Sequence, residues 1–443
     1  MGDVIVFPAV PPPTDDLGGV AVRRMLMSIL QGCSMIIVNG NIVAQGSQFS
    51  LNDVEVVTAT VDLEEVRAFR CTPSRGMQSV QAQAYRRIET PFRLSSEALG
   101  LAPSKPRPPR YHLPEEEIAL GPACYLFDYL RRSGTAGFLL PLSGGIDSCA
   151  TAVIVFSMCR LAVAAVQEGN KTVIADVKRL CRHATTLPTT PQELCNQIMH
   201  TIYMGMEEQS SKETRDRASN LARDIGSFHK DTNIDQSFQA TRSLFTLATG
   251  FEPKFRVHGG GNSENLALQN IQARSRMVTA YEFAQLLPTF RWGEGAGGLL
   301  VLGSANVDEC LRGYLTKVPP IGVRSHSRLG STLTWPQYDC SSADINPIGS
   351  ISKTDLKRFI KWAGEEFHLP ILEEFLNATP TAELEPITQD YVQADEVDMG
   401  MTYDECKSLG AEASAGESWR VVSRDLTSCS VSLWRPAKGS QAW

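Results

Sequence analysis

The segment Leu142–Ser148, Leu-Ser-Gly-Gly-Ile-Asp-Ser, constrains this chain more than any other stretch. It lies between an apolar run at 138–141, which predicts a buried strand, and a long apolar run at 149–166, which predicts a buried helix. Glycines let the backbone approach an anion closely, and the first N–H groups of a helix attract negative charge. Ser143 and Ser148 add hydroxyl donors. The segment therefore predicts a phosphate-binding loop, the alternative being a turn that only caps the helix.

Asp147 indicates a metal ion beside that phosphate, because a carboxylate and a phosphate repel each other and Mg²⁺ is the usual bridge. The loop lacks the lysine of the common Gly-x-x-x-x-Gly-Lys-Ser/Thr motif. Gly293–Gly298 matches a dinucleotide fingerprint as a string, but it precedes a predicted strand instead of following one. We therefore expect a loop there and exclude a Rossmann oxidoreductase.

Bulk properties narrow the class of protein. A length of 443 residues suffices for two or three domains, and a net charge of −7 gives no reason to expect nucleic-acid binding. Eleven cysteines without a Cys-x-x-Cys pair predict reduced thiols and a cytoplasmic location. The N-terminus has no signal-peptide pattern, and Ser157 and Arg160 interrupt the long apolar helix. We expect neither secretion nor a membrane partner.

The region before residue 115 has its own pattern. Residues 1–32 fit no element, whereas 35–44 has the form strand, Asn-Gly turn, strand, which is a strong hairpin signal. Residues 54–61 predict another strand, and 63–70 a charged helix. Residues 102–114, rich in proline, lysine and arginine, predict a linker.

From Glu115 onward, predicted strands and helices alternate. A helix at 120–130 precedes the strand–loop–helix of the phosphate loop, and a further strand is predicted at 299–303. Such alternation favours an α/β fold with a doubly wound parallel sheet.

Other polar residues follow the pattern of ligand sites in such sheets. Ser304 and Glu309 come just after the strand at 299–303, where ligands bind in open α/β folds, and Glu309 could share Mg²⁺ with Asp147. The alternative, a helix N-terminus with acidic residues in its first turn, is compatible with this role. Lys353 lies near Thr354, a candidate helix cap, and could reach a triphosphate, although by itself it is better explained as a surface lysine.

A helix is predicted over residues 264–276. It places Leu266, Asn270 and Arg274 on one face, which we expect to continue the core. Arg274 on that face could bind a carboxylate or phosphate through two hydrogen bonds, the alternative being a solvated basic helix.

These motifs together resemble a known family. Ser-Gly-Gly-x-Asp-Ser is similar to the pyrophosphate loop of the N-type ATP pyrophosphatases (adenine nucleotide alpha-hydrolase-like fold), and the order of the motifs resembles the synthetase domain of glutamine-dependent NAD synthetases of the eukaryotic type, over about 115–405. The further segments that carry this resemblance are Asn270–Arg276, Gly303-Ser304 with Glu309, Gly313–Lys317, Ser342–Asp344 with Ser352-Lys353, Pro380–Glu385, Asp395-Glu396 and Gly400–Tyr403.

The resemblance implies an ATP-dependent ligase that amidates deamido-NAD to NAD through an acyl-adenylate, releasing AMP and pyrophosphate, as the final step of NAD biosynthesis. Its catalytic residues would be Ser143, Asp147 and Glu309, with Mg²⁺ on Asp147 and Glu309. Deamido-NAD would be bound by Arg274, Lys317 and Asp344. ATP would be bound by Leu142, Ser143, Gly144, Gly145, Ile146, Asp147, Ser148, Ser304, Lys353 and Thr381.

Residues 33–101 resemble the last part of a nitrilase-type glutaminase domain, which in the family supplies ammonia from glutamine. The Glu-Lys-Cys catalytic set of that domain has no counterpart here, and Cys33 at the start of a hairpin is expected to be a packing residue. We therefore expect ammonia to be usable and glutamine not to be. The family also implies a homo-oligomer.

Two segments depart from the family pattern. Residues 318–337 have no regular period and predict an inserted loop between Lys317 and Asp344, and 406–443 form a tail without family pattern. Both are typical of an alternative transcript, that is an isoform, or of an error in gene prediction. The alternative function is therefore an impaired isoform that binds ATP or co-assembles with the intact enzyme. Amidation of a different acid is disfavoured by the substrate motifs.

Overall fold

The structure is a computed structural model that describes residues 6–7, 34–70, 91, 101–312, 343–378, 383–386 and 402–403. The described residues divide into two compact units, the first ending at Leu113 and the second beginning at Pro114. The predictions for Cys33, Lys317, Thr381, the inserted loop and the tail lie outside the described residues.

The first unit contains the predicted hairpin. Strands β2 (Met35–Val38) and β3 (Asn41–Gln45) pair antiparallel. Asn39 and Gly40 form the turn with φ of 49° and 85°, which is the left-handed backbone that an Asn-Gly turn requires. A short strand β1 (Val6–Phe7) pairs with β2, so the expectation that residues 1–32 fit no element is wrong at these two positions. Helix α1 (Leu63–Arg70) forms as predicted.

The strand predicted at 54–61 is wrong. No strand is assigned there, and Val54 and Val56 are 78% and 79% exposed. The Thr60 backbone pairs with Ser104, whose N–H donates to the Thr60 oxygen at 2.8 Å and whose hydroxyl accepts from the Thr60 N–H at 3.0 Å. Valine favours strands only where a neighbouring strand lets it pack, so its presence alone misled the prediction.

The second unit is built on a parallel sheet, which confirms the predicted fold class. Its strands are β4 (Gly137–Pro141), β5 (Met199–Gly205), β6 (Phe228–Asn233) and β7 (Leu299–Val301). They lie in the order β6-β5-β4-β7, and every pair is parallel. The chain first adds β5 and β6 on one side of β4 and then returns to place β7 on the other. A topological switch point therefore lies between β4 and β7.

Helices cover the sheet, as a parallel sheet requires. The helix at Asn262–Trp292, α8, packs on β4 and β7 through a core that includes Leu139, Met277, Ala280, Ala284 and Val301. The helices of this unit are α2 (Pro114–Ser133), α3 (Ile146–Gln167), α4 (Lys171–Leu180), α5 (Pro191–Ile198), α6 (Lys212–Ile225), α7 (Asp235–Thr249), α8 (Asn262–Trp292), α9 (Val307–Arg312), α10 (Lys353–Glu366) and α11 (Leu372–Asn377).

Helix α3 carries the long apolar run. Among the described helices it alone is long and apolar enough to cross a membrane, and 72% of its most apolar window is buried inside the protein. It packs against α2, α5 and α10. Its burial is that of a core helix in an α/β unit, as the sequence predicted.

Candidate active site

The loop between β4 and α3 closes on itself through its two serines. The Ser143 and Ser148 hydroxyl oxygens lie 3.0 Å apart, and the Ser148 hydroxyl also accepts from the Ser143 N–H at 3.2 Å and contacts the Gly145 oxygen at 3.1 Å. Gly145 is the N-cap of α3, and no side chain caps the helix there. The N-terminus of α3 therefore keeps the backbone donors and dipole with which helices bind anions.

Gly144 fixes the loop against helix α6. Its φ is +81°, and a Cβ atom at this position would lie 2.2 Å from the Thr214 carbonyl oxygen. Arg217, also on α6, donates from Nε to the Gly144 oxygen at 3.2 Å. Only glycine permits both this backbone conformation and this approach, so α6 determines the path of the loop.

A cluster of polar side chains lies beside the loop, at the switch point. Lys353 Nζ lies 2.9 Å from Asp147 Oδ2 and 3.9 Å from Glu309 Oε1. Asn306 Nδ2 donates to Asp147 Oδ1 and to Glu309 Oε1, both at 2.9 Å. The N-terminus of α3, the β7–α9 turn and the N-terminus of α10 each supply part of this cluster. The structure thus brings together Asp147, Glu309 and Lys353, which the sequence placed far apart.

Lys353 is buried, with only 2% of its surface exposed, so its interpretation as a surface lysine is wrong. Its Nζ also contacts the Tyr403 hydroxyl at 3.0 Å, and its backbone N–H donates to Asp308 Oδ2 at 2.9 Å. Ser352, and not Thr354, caps α10. A buried lysine is costly unless it is paired, so the two carboxylates are what hold this charge inside the protein.

Asp308 is a further acidic side chain of this region, and it is 1% exposed. Burial raises the pKa of its carboxyl above the ordinary value, and the Lys353 N–H and charge oppose that rise. Its hydrogen bond ties the start of α10 to the start of α9. Asp308 therefore fixes the first turn of α9 against the first turn of α10. Glu309, the next residue, contacts Asn306 and Lys353 instead.

The donor set fits Mg²⁺. Asp147 and Glu309 offer carboxylate oxygens held by one amide group. Within the described ranges there is no group of three or more histidine, cysteine or acidic side chains that could enclose a metal. Mg²⁺ is commonly held by one or two carboxylates together with water and substrate phosphates, so two carboxylates beside a phosphate loop suffice.

Two of the residues predicted to bind deamido-NAD are described, Arg274 on α8 and Asp344 beside β7. Asp344 accepts from the Val301 N–H at 2.8 Å and from the Tyr281 hydroxyl at 3.2 Å. Burial and the neighbouring Asp344 charge raise the pKa of Tyr281 to about 12. Arg274 is partly buried on α8, two turns before Tyr281, and Ser304 is partly buried in the turn after β7.

The predicted core face of α8 is wrong. Leu266 is 57% exposed, while the buried face of the helix carries Asn265, Leu268 and Gln272. The two buried amides have a partner in the segment 383–386. Because this partner comes from a distant part of the chain, the apolar spacing of the helix alone could not reveal the buried face.

That segment, 383–386, is attached to both α6 and α8. Glu383 accepts from the hydroxyls of Ser211 at 2.8 Å and Thr214 at 3.1 Å. The buried Glu385 accepts from Asn265 Nδ2 at 2.6 Å, and Gln272 Nε2 donates to the Leu384 oxygen at 2.7 Å. The residues just after the predicted ATP contact Thr381 are therefore anchored beside the helix that holds the phosphate loop.

Sequence reasoning missed three site residues, namely Asn306, Arg217 and Glu383. Of the three, Asn306 has the strongest sequence signal. It lies between Ser304 and Glu309, two predicted site residues, just after strand β7 at the edge of the sheet where substrates bind. Glu383 lies in the Pro380–Glu385 segment of the family resemblance, but its partner Ser211 is distant in the sequence. Arg217 had no signal, because its partner Gly144 is distant as well.

The NAD synthase family model matches residues 123–324 and 335–412, a range that includes the loop and the polar cluster. The chain belongs to the NAD synthase family. It is 58% identical over 386 residues to the glutamine-dependent NAD(+) synthetase of Saccharomyces cerevisiae and 52% identical over 383 residues to that of Homo sapiens. In both comparisons 86% of this chain is matched to 51% of the relative. The chain thus spans about half the length of these relatives.

Two solved structures are also similar to the chain, at lower sequence identity. A glutamine-dependent NAD(+) synthetase from Cytophaga hutchinsonii is 20% identical with a TM-score of 0.46, covering 62% of this chain and 41% of that one. A second, from Acinetobacter baumannii in complex with ADP, is 17% identical with a TM-score of 0.42, covering 93% of this chain and 56% of that one.

Proposed function

We propose that the second unit is an ATP-dependent NAD synthetase that amidates deamido-NAD to NAD. The observation that carries this proposal is the convergence of the Ser143–Ser148 loop with Asp147, Glu309 and Lys353 at the switch point of the sheet. A phosphate cradle beside two carboxylates and a buried lysine suits a reaction on a triphosphate. Relatives named glutamine-dependent NAD(+) synthetase support the choice of acceptor.

The reaction would take two steps. The nicotinate carboxylate of deamido-NAD attacks the α-phosphorus of ATP, and pyrophosphate leaves. Ammonia then attacks the carbonyl carbon of the acyl-adenylate, AMP leaves with the electrons of the broken C–O bond, and the nitrogen loses one of its three protons to water. Adenylation is needed because a carboxylate oxygen is a poor leaving group. The nucleophile of the first step is already ionised, so positioning and charge neutralisation are the main tasks of the protein.

The residues of this chain would divide those tasks. Ser143, Ser148 and the N-terminal amides of α3 bind the phosphates, with Ser304 on the other side of the crevice. Mg²⁺ held by Asp147 and Glu309 would neutralise phosphate charge. Lys353 is the nearest cation in the described cluster, and we assign it to the phosphates when ATP is bound. Thr381 would add an ATP contact, and Arg274, Lys317 and Asp344 would bind deamido-NAD.

We assign ammonia as the nitrogen source for these 443 residues. The first unit resembles the last part of a glutaminase domain, and the Glu-Lys-Cys set of such domains is not matched within it. Glutamine should therefore release no ammonia above a protein-free control when this polypeptide is assayed. Ammonium chloride should support turnover.

The second candidate is an impaired isoform that binds ATP. The family model leaves residues 325–334 unmatched, which lie inside the predicted inserted loop. Lys317 and Asp344, both assigned to deamido-NAD, flank that loop in sequence. The loop should therefore affect the binding of deamido-NAD more than the binding of ATP. In this case ATP affinity would be retained while turnover would be low.

We also propose a homo-oligomer and a cytoplasmic location. Helix α7 and the residues after it present apolar side chains to solvent, with Leu244, Leu247 and Phe251 exposed by 70%, 84% and 51%. A surface of this kind usually lies against another protein. In the part of the chain that the structure describes, the five free cysteines Cys124, Cys149, Cys159, Cys181 and Cys195 are buried, as suits a reducing compartment. Light scattering of the purified chain tests the oligomer, and a mass of 48.5 kDa would contradict it.

One assay decides the main proposal. Purified protein is incubated with deamido-NAD, ATP, Mg²⁺ and ammonium chloride, and NAD, AMP and pyrophosphate are measured. Equal amounts of the three products support the synthetase. ATP binding without NAD formation supports the impaired isoform. Absence of both contradicts the proposed site.

A further inference from the structure

Asn306 directs both of its side-chain N–H donors to the two candidate metal ligands. It is fully buried in the turn between β7 and α9. Its Nδ2 donates to Asp147 Oδ1 and Glu309 Oε1, and its Oδ1 accepts from the Glu309 N–H at 3.0 Å. Its own backbone N–H donates to Glu309 Oε2 at 3.3 Å. A side-chain amide has two N–H donors, and here each one serves a different carboxylate.

The two carboxylates need such a donor. Asp147 and Glu309 approach one –NH₂ group, and like charges at this separation repel each other. Lys353 offsets part of that charge through Asp147 Oδ2, but it is also the cation assigned to the phosphates. A neutral amide orients both carboxylates without adding a charge that would compete with a metal cation. A carboxylate oxygen has two lone pairs, so a hydrogen bond from Asn306 does not exclude a metal contact.

We propose that Asn306 is a positioning residue, which holds the Asp147 and Glu309 carboxylates in the arrangement that binds the divalent cation. This inference rests on the proposed function, because it requires those two residues to be metal ligands. Asn306 acts through its neighbours and is not assigned a contact with ATP or with the reacting atoms. Groups that orient metal ligands in this way typically contribute about 10- to 100-fold to metal affinity.

The test measures metal binding directly. Mn²⁺ binding to the full chain with a non-hydrolysable ATP analogue is followed by electron paramagnetic resonance. Asn306→Ala should weaken Mn²⁺ affinity by about 10- to 100-fold. Asn306→Ser should lie between the parent and the alanine variant, because a hydroxyl has one donor instead of two. Affinity for the nucleotide without metal should change by less than about threefold, well under 1.4 kcal/mol.

Asn346 offers a matched control. It donates from Nδ2 to the Ala305 oxygen at 2.8 Å and so supports the same turn, yet no carboxylate contact of Asn346 is among its described bonds. Asn346→Ala should lower the metal-free melting temperature as Asn306→Ala does, while Mn²⁺ affinity stays within about twofold of the parent. A structural role for Asn306 predicts the same result for both variants.

Asp147→Asn separates the inference from the proposed function. If this variant binds Mn²⁺ as tightly as the parent, the proposed metal site is wrong. If Asp147→Asn weakens binding but neither Asn306 variant differs from Asn346→Ala, the positioning role is overturned and the proposed function stands. Should the alanine variant show no cooperative melting, the serine variant decides in the same way.

Discussion

Asp147 links the phosphate loop to the polar cluster with a single carboxylate, since it follows the loop glycines in sequence and contacts both Asn306 and Lys353. We expect Asp147→Asn to weaken magnesium-ATP binding by at least about tenfold, or about 1.4 kcal/mol, because an amide is a poorer ligand for Mg²⁺ than a carboxylate. Isothermal titration calorimetry measures the change. Asp128→Asn is the control, because Asp128 is a 47% exposed carboxylate paired with Arg131 on the surface. Equal affinity in the parent and Asp147→Asn would contradict the assignment.

His200 makes stability depend on pH. It is buried in β5 with Nε2 3.0 Å from Arg291 Nη1, and burial, reinforced by the Arg291 charge, lowers its pKa to about 3. In the unfolded chain the imidazole of His200 takes up a proton near pH 6.5, whereas in the folded chain it stays neutral until about pH 3. The contribution of His200 to the free energy of unfolding is therefore complete above about pH 6.5 and is lost as the pH falls toward about 3. One proton changes the free energy of unfolding by at most about 1.4 kcal/mol per pH unit.

Urea unfolding at about pH 6.5 and pH 5 should therefore show a loss of up to about 2 kcal/mol that is due to His200. His200→Gln keeps an acceptor for Arg291 but cannot take up the proton, so this part of the slope should disappear. His258→Gln, at an exposed histidine, should leave the slope as it is. A parent slope that survives His200→Gln unchanged would show that another group is responsible.

At the residue scale, sequence could suggest chemistry but not burial. Asp147, Glu309 and Lys353 were chosen by residue type and motif, and the structure does bring them together. Lys353 nevertheless looked like a surface lysine, because its partners lie more than forty residues away in the sequence. Asn306 was overlooked because an asparagine after a strand is most often a turn or cap residue.

At the scale of elements, Gly144 is the position where the loop depends most on its neighbours. Its φ is +81° and a Cβ would meet the Thr214 oxygen, whereas Gly134 has a φ of +68° and open space around it. Gly134→Ala should cost about 1 to 2 kcal/mol from backbone strain alone. Gly144→Ala should cost about 1 to 3 kcal/mol more, since the loop or α6 must shift, and ATP affinity should fall with it.

Urea unfolding and calorimetry with ATP measure these two effects. Gly145→Ala is the second control, because Gly145 has an extended backbone and its added Cβ would be 3.5 Å from the Ser143 hydroxyl, an ordinary contact. It should retain stability to within about 1 kcal/mol. If Gly144→Ala and Gly134→Ala lose the same stability and ATP affinity is unchanged, the close approach of α6 does not constrain the loop.

Elements with strong local signals were predictable and those that depend on partners were not. β4, the loop and α3 follow from an apolar run, two glycines and a second apolar run. The hairpin follows from its Asn-Gly turn. The false strand at 54–61 and the wrong face of α8 share one cause, which is that distant segments supply the backbone and side-chain partners.

At the scale of the whole molecule, sequence predicted a parallel sheet but not its order. Alternating strands and helices are compatible with several orders, and the order β6-β5-β4-β7 is what creates a crevice between β4 and β7. The bridge from Leu302 to Ile345 then adds the segment of Asp344 beside β7. The site thus depends on the return of the chain across β4, which no local pattern encodes.

The inserted loop gives the last prediction. Deleting Val318–Gln337 should restore part of the ammonia-dependent NAD formation and should lower the KM for deamido-NAD more than that for ATP. Asp344 follows the loop in sequence and accepts a hydrogen bond from the Val301 N–H of β7, so the chain after the deletion keeps this anchor. Closing a longer loop costs only about 0.6 kcal/mol per doubling of its length, which is tolerable.

Misplacement is the larger cost, because an error of about 1 Å at a positioned group can reduce the rate about a hundredfold. Lys317 and Asp344 must meet on one dinucleotide, whereas the ATP contacts at Ser143–Ser148 precede the loop in sequence and the cluster of Asp147 and Lys353 forms regardless. Steady-state kinetics of the parent and the deletion variant, with ATP affinity measured separately, test this asymmetry. If the parent chain already turns over deamido-NAD as fast as an uninterrupted relative, the loop is harmless. If the deletion lowers the KM for ATP and the KM for deamido-NAD equally, the loop acts on the whole unit and not on the deamido-NAD site.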